Sequence, residues 1–576
     1  MQKSGVVEAR YHVSEVDGDR KNPLKVFFVA ISMICIVAGI FFRIWELQRF
    51  PGINGDEAWY GVWIYDVLEG VDRDWVTPSK LPLNPFYMLP LTLILSMVSE
   101  PSFILLRLPA VISGILLLVL AYPLMKKVLK KDETLNLVVL LSALPVLIGF
   151  SRIGWDASQT PLITLICLYY AFKLKPVWTK ETIITSLCLF LSLGAAAWIH
   201  PTNVFLAPLL IAPVIGLSFA EGWRPGKKFW IVLPFLLLVG VGTIFLVNGL
   251  LPNPVLDFKI VGSHLIDPSS FVDALRGGVR LISGATFFED VVGPMSGGLK
   301  LIFEGVLSLI VLPLLCFGGY KLYLNKEGQA LGFLVGLLVT FVVFYLITGS
   351  RALVIPGFER YCIFLVVPSC LALILLWGQF KSHIVTLPIV SLLMMVVFYL
   401  NFFQVYQDTG GRPNVHVTYK SGKSEPKKAV LDFMKFQVPE GQVLVGTEFW
   451  WSYWPLRFLT AKDKRFEIVE IKNKFRNRED VDKFNKNFGV FDKKSLSKDY
   501  KASYMVGFAG ATFEKIAKQR SNHWREQGQS KDMKGEPILY LWRRDINQME
   551  LEKLLKGGLN SIPLKSAEPP SKPEKP

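Results

Sequence analysis

The sequence predicts a polytopic α-helical membrane protein with a C-terminal extracytoplasmic α/β domain. Three observations carry that prediction. The 576-residue chain is 51% hydrophobic with a mean hydropathy of +0.39. Apolar runs long enough to cross a bilayer, about 20 residues each, recur along most of it. After residue 404 the composition turns abruptly to mixed charged and apolar sequence.

The N-terminal segment, 1–25, is polar and carries Lys3, Arg10, Arg20, Lys21 and Lys25. The apolar run 26–44 follows without a small-residue cleavage site, so it reads as an uncleaved signal anchor with the N-terminus in the cytoplasm. Ten further spanning runs are expected at 103–125, 135–151, 159–173, 181–199, 202–220, 229–250, 301–320, 330–349, 361–380 and 384–403, giving about 11 transmembrane helices. The stretch 86–98 is only about 13 residues long and is read as re-entrant or interfacial. Counting it as a span would also put Lys126, Lys127, Lys130 and Lys131 outside, against the positive-inside rule. The transmembrane domain therefore covers 26–403, with outer loops 45–102 and 251–300, and everything beyond 404 lies outside.

The formal charge of +16 is largely explained by lysines and arginines in short cytoplasmic turns, and no nucleic-acid motif accompanies them. Membrane lipids are the expected partners of that charge, and nucleic acid is not. All six cysteines lie in or beside apolar segments, so the outer domain has no disulfide framework and no Cys zinc site.

Within 404–562, candidate strands near 442–447, 466–471, 502–508 and 537–543 alternate with helical patterns near 426–436, 478–489 and 511–519, which suggests a small α/β domain. The Pro- and charge-rich tail 563–576 is expected to be disordered. No inverted duplication of the transporter type is visible.

The stretch FPGINGDEAWYGVWIYDVLEG, 50–70, sets Asp56 and Glu57 just beyond the first span. Asn54 can cap a helix there, with Glu57 three positions on closing a capping box. Asp56 and Glu57 stand about 100° apart on a helix, whereas Asp56 and Tyr60 share a face. Asp56 is accordingly the expected reactive carboxylate. Trp59, Tyr60, Trp63 and Tyr65 around it suit a membrane interface.

Three other outer turns hold polar residues. SRIGWDASQT, 151–160, carries Arg152 and Asp156; WIHPTN, 198–203, carries His200; GSRALVIPGFERY, 349–361, carries Arg351, Glu359 and Arg360. Each has a plainer structural alternative: an Arg152–Asp156 ion pair, a snorkelling Arg360, a structural His200. Together with Lys80 they supply what phosphoglycosyl chemistry needs, a base for the acceptor and positive charge for a departing phosphate. A metal site is not predicted, because Asp56-Glu57 lacks a spaced carboxylate pair; a divalent cation held mostly by water is left open, and no cofactor is required.

The order of DEAWY, LPLNPFY, RLPAVISGILLLVLAYPL, SRIGWD, HPT and FERY resembles the GT-C fold glycosyltransferases of the aminoarabinose-transferase and protein O-mannosyltransferase type (glycosyltransferase family 39-like) over roughly 26–405. That resemblance implies hexosyl or pentosyl transfer, with inversion, from a polyprenyl-phosphate-linked sugar to an extracytoplasmic lipid, glycan or protein. It puts Asp56 on the family's acidic catalytic position. Lys80, Arg351 and Arg360 would meet the lipid phosphate, and Glu57, Tyr60, Arg152, Asp156, His200 and Glu359 would line the pocket or hold its loops. The family's Lys-Pro-Pro-Leu is here Lys80-Leu81-Pro82-Leu83, a departure. A lipid-linked saccharide transporter or flippase is the alternative. The outer portions lack an Asn-x-Ser/Thr sequon, which favours a bacterial inner membrane, with the site on the periplasmic side, over an endoplasmic reticulum.

Overall fold

The computed structural model describes residues 23–78, 81–177, 179–220, 268–285, 289, 298, 311, 313–354, 358–380, 383–400, 422–448, 450–471, 478–497, 499–519, 523–532 and 534–544. These form two compact units. One comprises the described residues up to Pro51, then Trp63–Val98 and those from Ser102 to 400. The other comprises Gly52–Val62, Ser99–Pro101 and the described residues beyond 420.

The first unit is helical. Among the described residues, five helices are long and apolar enough to span a membrane: Val26–Ile44, Phe103–Met125, Lys180–Ile199, Pro201–Ala220 and Gly328–Thr348. The protein is thus an integral membrane protein. Its helices are α1 (Pro23–Ile44), α2 (Gly55–Leu68, whose first turns belong to the second unit), α3 (Pro85–Ser96), α4 (Phe103–Met125), α5 (Lys131–Ala143), α6 (Pro145–Phe150), α7 (Thr160–Lys173), α8 (Lys180–Ile199), α9 (Ala207–Ala220), α10 (Pro268–Ser283), α11 (Gly319–Leu324), α12 (Gly328–Thr348), α13 (Arg351–Val354), α14 (Val366–Trp377) and α15 (His383–Phe398). The run expected at 229–250, and most of 301–320, lie outside the described residues.

The expected span 135–151 is two helices, not one. Pro145 has no N–H to continue α5 and disfavours the helical region for the residue before it, so Leu144 sits extended at φ −64, ψ 120 and α6 starts afresh. The short apolar stretch after Asn84 is a 12-residue helix, α3, with the Asn84 side chain accepting from the Phe86 N–H.

Helices α9 and α12 approach through small residues. A Cβ on Gly332 would stand 2.2 Å from the Ala212 carbonyl oxygen, and one on Gly216 would stand 2.1 Å from that of Gly328. With Gly328, Gly332 and Gly336 at four-residue intervals, one face of α12 has no side chains to hold the backbones apart. Gly332→Val is therefore expected to destabilise the chain by about 1–3 kcal/mol through overpacking, read as a lower thermal midpoint in detergent.

Among the described residues of this unit three arginines are fully buried, and each donates to backbone carbonyls. Arg43 donates to Gly39 of its own helix at 2.7 Å and to Leu141 and Ser142, in the last turn of α5, at 3.1 and 3.2 Å. Arg107 donates to the Leu47 carbonyl at 2.7 Å. Arg152 donates to Phe42, in the last turn of α1, and to Phe50 at 2.8 Å. The last four carbonyls of a helix lack intrahelical partners and carry the negative end of its dipole, so a guanidinium there offsets both deficits.

The second unit contains a five-stranded sheet of β1 (Val443–Thr447), β2 (Phe466–Glu470), β3 (Ala502–Phe508), β4 (Trp524–Lys531) and β5 (Pro537–Arg544), ordered β2-β1-β3-β5-β4. β1 runs parallel to β2 and β3; β5 runs antiparallel to β3 and β4. Helices α16 (Pro426–Gln437), α17 (Trp450–Leu459), α18 (Arg478–Lys494) and α19 (Thr512–Gln519) surround it. The central strands β1 and β3 are buried throughout, and Phe484, Phe488 and Phe491 of α18 pack with Phe513 and Trp524 as the core. The expected strands and helices are present, and β4 and α17 are additional.

Candidate functional site

In the second unit the site is built around the first turn of α2. The Asn54 side chain accepts from the Glu57 N–H at 2.9 Å, and Glu57 Oε1 accepts from the Asn54 N–H at 3.5 Å, closing the capping box that the sequence predicts. Glu57 is 0% exposed. Its carboxylate serves the helix end. Asp56 is half-buried, and the positive end of the helix dipole favours its negative charge. Tyr60, one turn on, is buried.

Trp450, the first residue of α17, donates its indole N–H to Asp56 Oδ1 at 3.0 Å. Trp454 meets Trp450 edge to face, with ring centroids 5.3 Å apart, and Trp59 likewise at 6.5 Å. Arg457 lies over the Trp454 ring at 5.4 Å and donates to the Tyr453 hydroxyl at 3.0 Å. Trp450, Trp451, Tyr453 and Trp454 are all half-buried.

In the first unit three of the polar turns come together. Asp156 opens a 3-10 turn, Asp156–Gln159, which packs against the 3-10 turn Glu359–Tyr361. The Arg360 guanidinium lies 5.5 Å from the Trp155 ring and 5.0 Å from that of Tyr361, and donates to the Tyr361 hydroxyl at 3.0 Å. Tyr361 in turn meets His200 edge to face at 5.7 Å. Arg360 is half-buried and Glu359 buried. SRIGWD, HPT and FERY, remote in sequence, thus form one cluster with a single guanidinium stacked among aromatic rings, an arrangement that supports cation–π attraction.

Arg152 belongs to the packing of this unit. It is fully buried and donates to two carbonyls. Asp156 Oδ1 accepts from the Ala157 N–H at 2.7 Å.

His200 is buried, with Nδ1 2.7 Å from the Thr202 hydroxyl. Burial first, and the Arg360 charge second, push its imidazole down to about 3 from an ordinary 6.5. The unfolded chain therefore binds a proton that the folded chain rejects. Its contribution to stability is fully present above pH 6.5 and is lost as pH falls from there towards 3. A His200→Asn chain is expected to lose less stability than wild type across that window, measured by thermal unfolding against pH.

A two-stranded turn precedes α3. Val76 bridges Pro82, and the Leu83 carbonyl accepts the indole N–H groups of Trp75 at 3.1 Å and Trp198 at 3.2 Å. Asn84 donates to Gln159 at 2.9 Å, tying LPLNPFY to the turn after Asp156. Lys80 and the Arg351 side chain lie outside the described residues. The pairing of Trp450 with Asp56 is not expected from the sequence; the Trp-rich run after a strand end, FWWSYW, is the signal that marks it.

No protein-family model matches the chain, and no curated protein matches it in sequence. Among solved structures, it is similar to the oligosaccharyltransferase AglB of Archaeoglobus fulgidus in complex with an inhibitory peptide and a dolichol-phosphate. That match has a TM-score of 0.46 and 13% identity and covers 84% of this chain and 69% of AglB. It is also similar to ArnT of Cupriavidus metallidurans bound to undecaprenyl phosphate, with a TM-score of 0.38, 13% identity, and coverage of 90% of this chain and 97% of ArnT.

Proposed function

We propose that the chain is a membrane glycosyltransferase that transfers a monosaccharide, hexosyl or pentosyl, from a polyprenyl-phosphate-linked donor to an extracytoplasmic lipid, glycan or protein. Asp56 takes the proton of the acceptor nucleophile, which bonds to the anomeric carbon from the face opposite the phosphate. The bond from that carbon to the phosphate oxygen breaks, and its electron pair leaves on the polyprenyl phosphate. Lys80, Arg351 and Arg360 offset the charge that develops on that oxygen. The membrane is a bacterial inner membrane, with residues 404–562 forming a periplasmic domain.

The observation that carries this reading is the setting of Asp56: a half-buried carboxylate at a capped helix N-terminus, held by an indole N–H, within the motif order DEAWY to FERY. A transporter of lipid-linked sugars would need polar groups lining a path through the bilayer. The buried Arg43 and Arg107 instead donate to backbone carbonyls.

Mass spectrometry of envelope glycoconjugates in a strain lacking the gene tests the reading. One glycoconjugate class should lose a hexose- or pentose-sized increment, restored by wild type and not by Asp56→Asn. An unchanged profile, or restoration by both chains, would overturn it.

A further inference from the structure

We propose that Trp450 is a positioning residue for Asp56; this rests on the general-base reading of Asp56 given above. The indole N–H points at Asp56 Oδ1 from 3.0 Å. The chain makes room for it. A Cβ on Gly55 would lie 2.2 Å from Trp450 Cδ1, 2.6 Å from its Nε1 and 2.7 Å from its carbonyl oxygen.

The tryptophan is also fixed from behind. It opens α17 two residues after Glu448, which is 0% exposed and accepts the Thr512 and Phe513 N–H groups at 2.7 and 3.1 Å, anchoring the end of β1 to the start of α19. Trp454, one turn along α17, braces the Trp450 ring.

The chemistry of indole suits the task. It donates and cannot accept, so it cannot compete with Asp56 for the acceptor's proton. It adds no charge that would pair with the departing phosphate. A carboxylate oxygen can accept more than one hydrogen bond, so one N–H orients the group without exhausting its capacity. A base held at a fixed angle to the acceptor acts mainly on the chemical step, with little effect on donor binding.

Steady-state transfer by purified chain in proteoliposomes tests this, with a radiolabelled polyprenyl-phosphate sugar as donor. Trp450→Phe keeps a ring and removes the N–H. It should lower kcat about tenfold and leave the donor KM within about twofold. Trp450→β-(3-benzothienyl)alanine, which puts sulfur in place of the N–H with the shape retained, should do the same with an unchanged thermal midpoint. Wild-type kcat in the benzothienyl chain would overturn the proposal, as would a rise in donor KM with kcat unchanged, which would make the ring a substrate contact. Asp56→Asn, run alongside, separates the two levels. If it retains wild-type turnover, the general-base reading itself falls; if it is inactive while the benzothienyl chain is unimpaired, only the role of Trp450 falls.

Discussion

Asp56→Asn is expected to reduce sugar transfer by about 10²–10⁴-fold, the usual worth of a positioned general base, with the donor KM and the thermal midpoint little changed. Asparagine keeps the size of the side chain and an oxygen that can accept the Trp450 N–H, so the local fold has no reason to change. What disappears is the capacity to take a proton. The neighbouring carboxylate provides the control. Glu57→Gln keeps an acceptor oxygen for the Asn54 N–H in a side chain that is 0% exposed, so it should alter turnover by less than about threefold. Equal losses in both variants would place the chemistry elsewhere.

Arg152→Met is expected to be strongly destabilising. The guanidinium is fully buried and satisfies the carbonyls of Phe42 and Phe50; methionine fills much of the volume and satisfies neither. A buried polar group left without a partner costs about 1–3 kcal/mol, so two give about 2–6 kcal/mol. In detergent, that should appear as a thermal midpoint several degrees lower or as loss of folded yield. Burial, with Arg107 adding repulsion, pulls the Arg152 guanidinium down to about 9, which still leaves it charged at neutral pH. If Arg152 instead held the donor phosphate, the variant would fold normally and show a raised donor KM.

Much of the fold is legible because periodicity and composition report burial. Long apolar runs became helices, and the apolar strands β1, β3 and β5 stand where alternation and β-branched residues put them. β4 escaped because its sequence, WREQGQSK, is polar. It is an edge strand, largely exposed, and so has no apolar face to declare. The helix α17 was hidden by its own composition, five aromatics and an internal Pro455 in ten residues, which local propensity disfavours.

The site divides in the same way. The capping box of Asn54 and Glu57 is local, three residues apart, and could be read directly. Arg152 could not. Its partners are carbonyls 110 and 102 residues upstream, and a backbone acceptor leaves no mark on side-chain sequence. A cation in an outer turn therefore looks the same whether it awaits a phosphate or caps a helix. The pairing of Trp450 with Asp56 joins two side chains and is hidden by separation alone, 394 residues along the chain.

The most direct test of the central claim is the fate of one labelled sugar. Purified chain in proteoliposomes should move label from a polyprenyl-phosphate sugar onto a second molecule, with the anomeric configuration inverted in the product as read by NMR. Label that stays on the polyprenyl phosphate and only changes leaflet would contradict the account.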